Sequence, residues 1–322
     1  MIYVKVPNIC VEEEKYSLDV LLGEFLGLSF HTELYDGEYI EITAKGSNFR
    51  LTLNADFFHN AEQAWLQEES MPVLPLQSWV PANDGVDIDL VEGSIPVLYG
   101  QAGLIKKPNH WHLNVDIFGS SFFMLSRYEE LITKVRDQHD RFPATASVAF
   151  KAGFLDRPIV NEYLEILWAC MHQLWPNLER KNREFRKLIS CDVDHPIDHA
   201  GYSFRRTVLR MGARVLRDKN IYLAIVDGCN YLFKKFGSDR FDQYRNNIYW
   251  IIDVNEREGN KVAFFFIPKQ TSKNFEDANN VTDPKIISLL SYIVKRGHEV
   301  GFHPGYETCK FPENFKESAD KL

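Results

Sequence analysis

No C-x-x-C pair occurs in this sequence, and its five cysteines (Cys10, Cys170, Cys191, Cys229 and Cys309) are scattered and odd in number. That pattern gives no zinc-finger signal and no disulfide framework; it is the pattern of free thiols in a reducing compartment. A run of ~18 apolar residues, the minimum for a membrane-crossing helix, is also missing. The opening Met1-Ile-Tyr-Val-Lys-Val-Pro lacks a basic segment, a long apolar stretch and a small-residue cleavage site, so it reads as a first β-strand and not as a signal peptide. The chain is therefore expected in the cytoplasm, without a membrane span. Basic tracts are absent too, and the net charge is -8. Neither nucleic acid nor an anionic membrane surface is an expected partner on that count. There are no repeats and no low-complexity tracts.

What is present is an ordinary globular composition, with 45% hydrophobic and 25% charged residues. A chain of 322 residues is enough for one large domain or two ordinary ones. Aromatics reach 13%, which suits either a well-filled core or carbohydrate stacking; core packing is the simpler explanation. The first half is strand-rich. Tyr39-Ile-Glu-Ile-Thr and Phe49-Arg-Leu-Thr-Leu alternate apolar and polar residues around a hairpin connection at Ala44-Lys-Gly-Ser-Asn. A turn-rich stretch at Trp79-Val-Pro-Ala-Asn-Asp-Gly follows, then strands at Ile95-Pro-Val-Leu-Tyr-Gly and His112-Leu-Asn-Val-Asp-Ile-Phe. A helix capped by Ser120 comes next, and another spans Val160 to Leu174 before Pro176. The charged stretch Asn177 to Arg186 reads as a linker, which divides the chain into domains 1–180 and 186–322.

Beyond the linker the pattern changes. Lys187-Leu-Ile-Ser-Cys is a short apolar run. A helical stretch runs from Arg205 to Phe236, and a further helix from Phe241 to Glu258. Val262-Ala-Phe-Phe-Phe-Ile is a buried strand, Pro284 to Lys295 a helix, and His298-Glu-Val-Gly-Phe-His a last strand. This alternation predicts a parallel α/β sheet or barrel.

Two constellations carry chemistry. Asp192 to His199 holds three acids and two histidines within eight residues, directly after an apolar strand. In parallel α/β folds ligands gather at the C-terminal ends of strands. Asp192 and Asp194 are two apart and share a strand face, where two carboxylates repel unless a cation or a proton holds them. That is the physical reason to expect a metal. The plainer reading is a helix cap, a position Asp favours. The second constellation is Gly297-His-Glu-Val-Gly-Phe-His-Pro-Gly-Tyr-Glu. His303 ends its strand on the same rim as the first cluster. His298, at the other end, is expected to be packed or solvent-facing. Farther upstream, Arg127, Glu129 and Glu130 form either a site or a structural ion pair.

These segments resemble the first two motifs of the polysaccharide deacetylase superfamily, the carbohydrate esterase family 4 type. Ser190-Cys-Asp-Val-Asp-His-Pro stands where the family has T-F-D-D-G-P, and Gly297-His-Glu-Val-Gly stands where it has G-H-E-I-G. His303-Pro-Gly-Tyr-Glu307 takes the place of H-(S/T)-x-x-H, and Val262-Ala-Phe-Phe-Phe-Ile resembles the intervening A-T-F-F strand. The resemblance covers about residues 186 to 310. Leu113-Asn-Val-Asp-Ile-Phe-Gly-Ser-Ser-Phe-Phe-Met-Leu-Ser-Arg-Tyr-Glu-Glu is similar to an uncharacterised domain found ahead of such deacetylases.

The resemblance implies a strand-rich α+β N-terminal domain followed by an incomplete, irregular (β/α) barrel. It makes Asp192 the general base and Asp194 and His303 metal ligands. The family's second histidine ligand falls on Glu307, so Glu307, His195 or His199 completes the set. The implied cofactor is a divalent metal ion: zinc, with manganese, iron or cobalt as alternatives given the oxygen ligands. The implied activity is metal-assisted removal of acetyl groups from an N- or O-acetylated sugar of a cell-surface polysaccharide precursor. The later family motifs are not found in these residues, so the chain is expected to be the opening portion of a longer protein. Two other readings stay open: a non-catalytic glycan-binding or assembly protein on a degraded deacetylase fold, and another carbohydrate enzyme such as a glycoside hydrolase.

Overall fold

A computed structural model describes residues 1–182, 184–272 and 280–322. The chain divides into two compact units, Met1–Arg183 and Glu184–Leu322. It is mixed α/β throughout.

The first unit is built on a six-stranded mixed sheet. Its strands are β1 (Ile2–Pro7), β2 (Phe30–Tyr35), β3 (Tyr39–Ala44), β4 (Arg50–Asn54), β7 (Gly100–Lys107) and β8 (His110–Val115), in the order β2-β1-β3-β4-β8-β7. A two-stranded ribbon, β5 (Gln77–Trp79) with β6 (Ile95–Val97), lies outside it. The helices are α1 (Val11–Leu18), α2 (Asp56–Ala64), α3 (Ile117–Leu125), the single turns α4 (Glu129–Ile132) and α5 (Val148–Lys151), and α6 (Ile159–Leu174). Alternation decides which strand face is buried. Ile2, Val4 and Val6 of β1, Ile40 and Ile42 of β3, and Leu51 and Leu53 of β4 all enter the core. There they meet Leu18 of α1, Phe57 and Phe58 of α2, Phe118 and Phe123 of α3, and Tyr163 and Leu167 of α6. Phe57 sits edge-on to Phe58, Tyr99 and Tyr128, so much of the aromatic excess in this unit is core.

The second unit holds three parallel strands, β9 (Ile189–Val193), β10 (Val262–Phe266) and β11 (Glu299–Phe302), in the order β11-β10-β9. Between β9 and β10 come α7 (Phe204–Leu216), α8 (Ile221–Lys235) and α9 (Gln243–Arg257). Between β10 and β11 comes α10 (Pro284–Lys295), and α11 (Pro312–Ala319) follows β11. Val262, Phe264 and Phe266 of β10 pack with Ile248 and Ile252 of α9 and Leu289 and Ile293 of α10. Among the described residues this sheet has three strands and is open; it does not close into a barrel. Gly301 of β11 lies beside Phe265, where a Cβ would come within 2.5 Å of the ring.

Some local expectations are corrected. The helix expected to start at Ser120 begins at Ile117, because Asp116 accepts the Gly119 N–H at 2.7 Å and is the true cap. The helical stretch Arg205–Phe236 is two helices. Lys219 takes a left-handed φ of 50°, and Asn220 then caps α8 by accepting the Leu223 N–H at 3.0 Å. All five cysteines are free.

Candidate functional site

The ends of β9, β10 and β11 form one rim of the second unit. Asp192 lies in β9 opposite Phe265 of the central strand. The His303 N–H donates to the Phe266 carbonyl at 2.9 Å, so the backbone pairing of β11 carries one residue past the strand and fixes His303 at its tip. The result brings two sequence-predicted residues together across the sheet: His303 Nε2 is 3.7 Å from Asp192 Oδ2. The Asp192 side chain is 62% exposed and that of His303 is 30% exposed, so the pair faces solvent.

The tautomer matters. His303 Nδ1 lies 2.9 Å from the Pro304 carbonyl, which can only accept. Nδ1 therefore carries the hydrogen, and in the neutral ring Nε2 presents its lone pair toward Asp192. A lone pair and a carboxylate that face each other need a positive charge between them, either a proton or a metal cation. Donation from the remote ring nitrogen to a backbone carbonyl is also how metal-ligating histidines are oriented. The donor pair thus fits a cation.

The other predicted ligands lie on the segments that follow β9 and β11. Among the described residues, no group of three or more His, Cys, Asp or Glu is arranged to hold a metal ion. Asp194 is exposed just beyond the end of β9. Glu307 is half-buried, and its backbone N–H donates to Thr271 Oγ1 at 3.0 Å. His195 packs edge-on against Tyr244, with ring centroids 5.4 Å apart. His195 and His199 line a cleft of about 440 Å³ with Asp198, Arg206, Arg210 and Tyr244. His298 is buried, its Nδ1 accepting from the Val262 N–H at 3.0 Å and its Nε2 lying 3.2 Å from Glu256. It ties β10 to β11 and α9.

Asp198, the third acid of the cluster, has a structural role that the sequence did not reveal. It is buried and accepts from both terminal nitrogens of Arg210 at 2.9 and 2.6 Å, from Asn230 at 2.6 Å and from the Gly201 N–H at 3.1 Å. Its own N–H donates to Asp242, and Lys234 bridges its carbonyl to the Asp242 carboxylate. Burial works to raise its pKa, but the hydrogen bonds and charge of Arg210 outweigh that and hold it below the usual carboxylate range. The capping reading of aspartate is therefore the right one for Asp198. The i, i+4 spacing of Arg206, Arg210 and Arg214 was the available signal for an arginine face seeking acids.

A family model described as a family of unknown function (DUF7033) matches residues 2–176. The chain belongs to this family. No curated protein and no solved structure matches it. The DUF7033 region has a buried acidic pair of its own. Asp116 caps two helices at once, accepting the Gly119 N–H of α3 and, at 2.9 Å, the Phe57 N–H of α2. Gly119 is required there, since a Cβ would lie 2.3 Å from Asp116 Oδ2 and 2.5 Å from Phe57 Cβ. Desolvation pushes Asp116 up to about 7 against the pull of those two N–H groups. Glu14 of α1 is 1% exposed, and neither of its carboxyl oxygens has a hydrogen-bond partner among the described residues. Desolvation, with repulsion from Asp116, pushes it up to about 9. Arg127 and Glu130 form a surface ion pair, while Glu129 is buried and accepts the Val148 N–H at 2.8 Å. These contacts account for much of the Leu113–Glu130 motif in terms of folding.

Proposed function

We propose that the chain is a metal-dependent hydrolase resembling polysaccharide deacetylases, which removes acetyl groups from an N- or O-acetylated sugar of a cell-surface polysaccharide precursor in the cytoplasm. The observation that carries this reading is the pair His303 and Asp192 at 3.7 Å, on the C-terminal rim of a parallel sheet, with His303 Nδ1 turned to the Pro304 carbonyl and Nε2 toward the carboxylate. His303 and Asp194 would hold the divalent cation, with His195 and Glu307 as the remaining donors and zinc, manganese, iron or cobalt as the ion. Bound there, the cation would supply Lewis acidity toward the acyl carbonyl.

The chain's own groups do the rest. Asp192 is solvent-facing beside His303, and in this reading its carboxylate takes a proton from an attacking water. The cleft beside His195 is of a size to seat a sugar ring, with Tyr244 offering a stacking surface and Arg206 a hydrogen-bond donor. The reading belongs to an open arrangement of a (β/α)-barrel type, in which three strands supply the first part of the rim. The test is acetate release from acetylated glucosamine oligomers by purified protein with each divalent metal added in turn. Activity lost on Asp192→Asn, with metal content kept, supports the base assignment.

A second reading, a glycan-binding protein on a degraded deacetylase fold, draws support from the lack of a three-ligand group among the described residues. It predicts saccharide binding without acetate release under every metal.

A further inference from the structure

The hairpin of α7 and α8 is built inside out. Its polar side chains point inward: Arg210 and Arg214 reach the buried Asp227 at 3.1 and 3.5 Å, and Lys234 reaches the buried Asp242 at 2.7 Å. Its apolar side chains point to solvent. Phe204, Val208 and Val215 are exposed on α7, and Ile221, Ile225 and Leu232 on α8. Each trio has the spacing i, i+4, i+11, which places it on one stripe of its helix. The two stripes meet along a common seam, because Met211 packs where a Cβ on Gly228 would be, 3.2 Å away. One continuous apolar face results.

The charge of the hairpin is also unlike the rest of the chain. Residues 204–236 hold eight basic side chains (Arg205, Arg206, Arg210, Arg214, Arg217, Lys219, Lys234, Lys235) against two acidic ones (Asp218, Asp227), a net of +6 in a chain of net -8. Arg210, Arg214 and Lys234 are spent on the buried acids, Arg206 lines the cleft beside Asp198 and Arg217 is paired with Asp218, which leaves Arg205, Lys219 and Lys235 exposed. Asp218, the one exposed acid, is bonded to Arg217 and Arg214.

We infer that this hairpin docks on an anionic lipid bilayer, its apolar stripe entering the headgroup region and its cationic rim meeting lipid phosphates. An exposed apolar stripe bordered by Lys and Arg is the composition of an interfacial helix. No helix among the described residues is long and apolar enough to cross a membrane, so the hairpin lies on the surface. A second copy of the chain is the poorer occupant. A two-fold contact sets the same patch against itself, and would bring the two cationic rims together.

The experiment is flotation of the full chain with phosphatidylcholine vesicles that contain or lack phosphatidylglycerol. Binding is expected only to the anionic vesicles, and raising the salt should weaken it. Arg205→Gln, Lys219→Gln and Lys235→Gln combined should lower the partition by about a hundredfold, at around 1 kcal/mol for each cation near the surface. Ile225→Gln with Leu232→Gln should abolish binding, with far-ultraviolet circular dichroism unchanged; the charge variant, which leaves the apolar face intact, covers the case in which this one misfolds. Failure to bind anionic vesicles, or equal binding to neutral ones, would overturn the inference. So would a dimer in sedimentation equilibrium that Ile225→Gln dissolves, since a second copy would then cover the face.

Discussion

Replacing Glu14 with Gln should stabilise the first unit, and by an amount that grows with pH. The native carboxyl is held at about 9 by burial beside Asp116, against 4.5 for the ordinary group. Asp116 has two backbone N–H donors to hold its charge, and Glu14 has none among the described residues. Glu14 is therefore the neutral member of the pair in the folded protein, while in the unfolded chain it ionises above about pH 4.5. A raised native pKa gives stability that is fully present below the unfolded value and is lost as pH climbs to the native value. Between those limits the loss runs at about 1.4 kcal/mol per pH unit, or about 3 kcal/mol at pH 7. Gln is neutral at every pH and nearly isosteric with the protonated acid, so the variant escapes this loss. Urea unfolding followed by tryptophan fluorescence suits the test, because Trp65, Trp79, Trp111, Trp168 and Trp175 lie in the first unit and Trp250 alone in the second. The stability gap between variant and parent should widen steadily from pH 5 to pH 8. A gap that stays constant over that range would show instead that Glu14 is ionised in the fold.

Gly119→Ala should destabilise the same unit by about 2–4 kcal/mol in the same assay, because backbone-held Asp116 and the Phe57 stem leave no room for a methyl group. Arg210→Ala strips the buried Asp198 and Asp227 of their shared guanidinium and should cost about 3–5 kcal/mol, read as a loss of protection in amide exchange over α7 and α8. The Asp198 pKa is depressed in the fold, so its contribution is present above the ordinary carboxylate pKa and fades as pH falls through the native value. Acid titration of the parent should accordingly loosen this network, and in Arg210→Ala the acid-induced change should be smaller.

The sequence showed the regular parts of the fold because they are written in periodicity. The apolar run at Val262–Ile267 and the helix from Pro284 to Lys295 end at residues whose backbone chemistry admits little else, and α10 starts and stops where its proline and the following Gly297 require. What stayed hidden depended on partners distant in sequence. Ser120 looks like a helix cap, yet Asp116 fills that role because its second oxygen is needed by Phe57, 59 residues away. Asp198 looked like one more member of an acidic cluster, but it is committed to Arg210 and Asn230. The whole-chain sum of -8 likewise does not show the local excess of base in residues 204–236, a net of +6. At the candidate site, strand ends placed Asp192 and His303 on one rim, but their approach across β10 depends on the sheet order, which periodicity does not encode.

The proposed hydrolase requires a divalent metal on the rim at Asp194 and His303, beside Asp192. Elemental analysis of the purified full chain, as parent and as His303→Ala, tests it most directly. A stoichiometric divalent ion is expected in the parent and its loss in the variant, with the fold intact by circular dichroism. A parent that takes up no metal after dialysis against zinc or manganese, or a variant that keeps its metal undiminished, would contradict it.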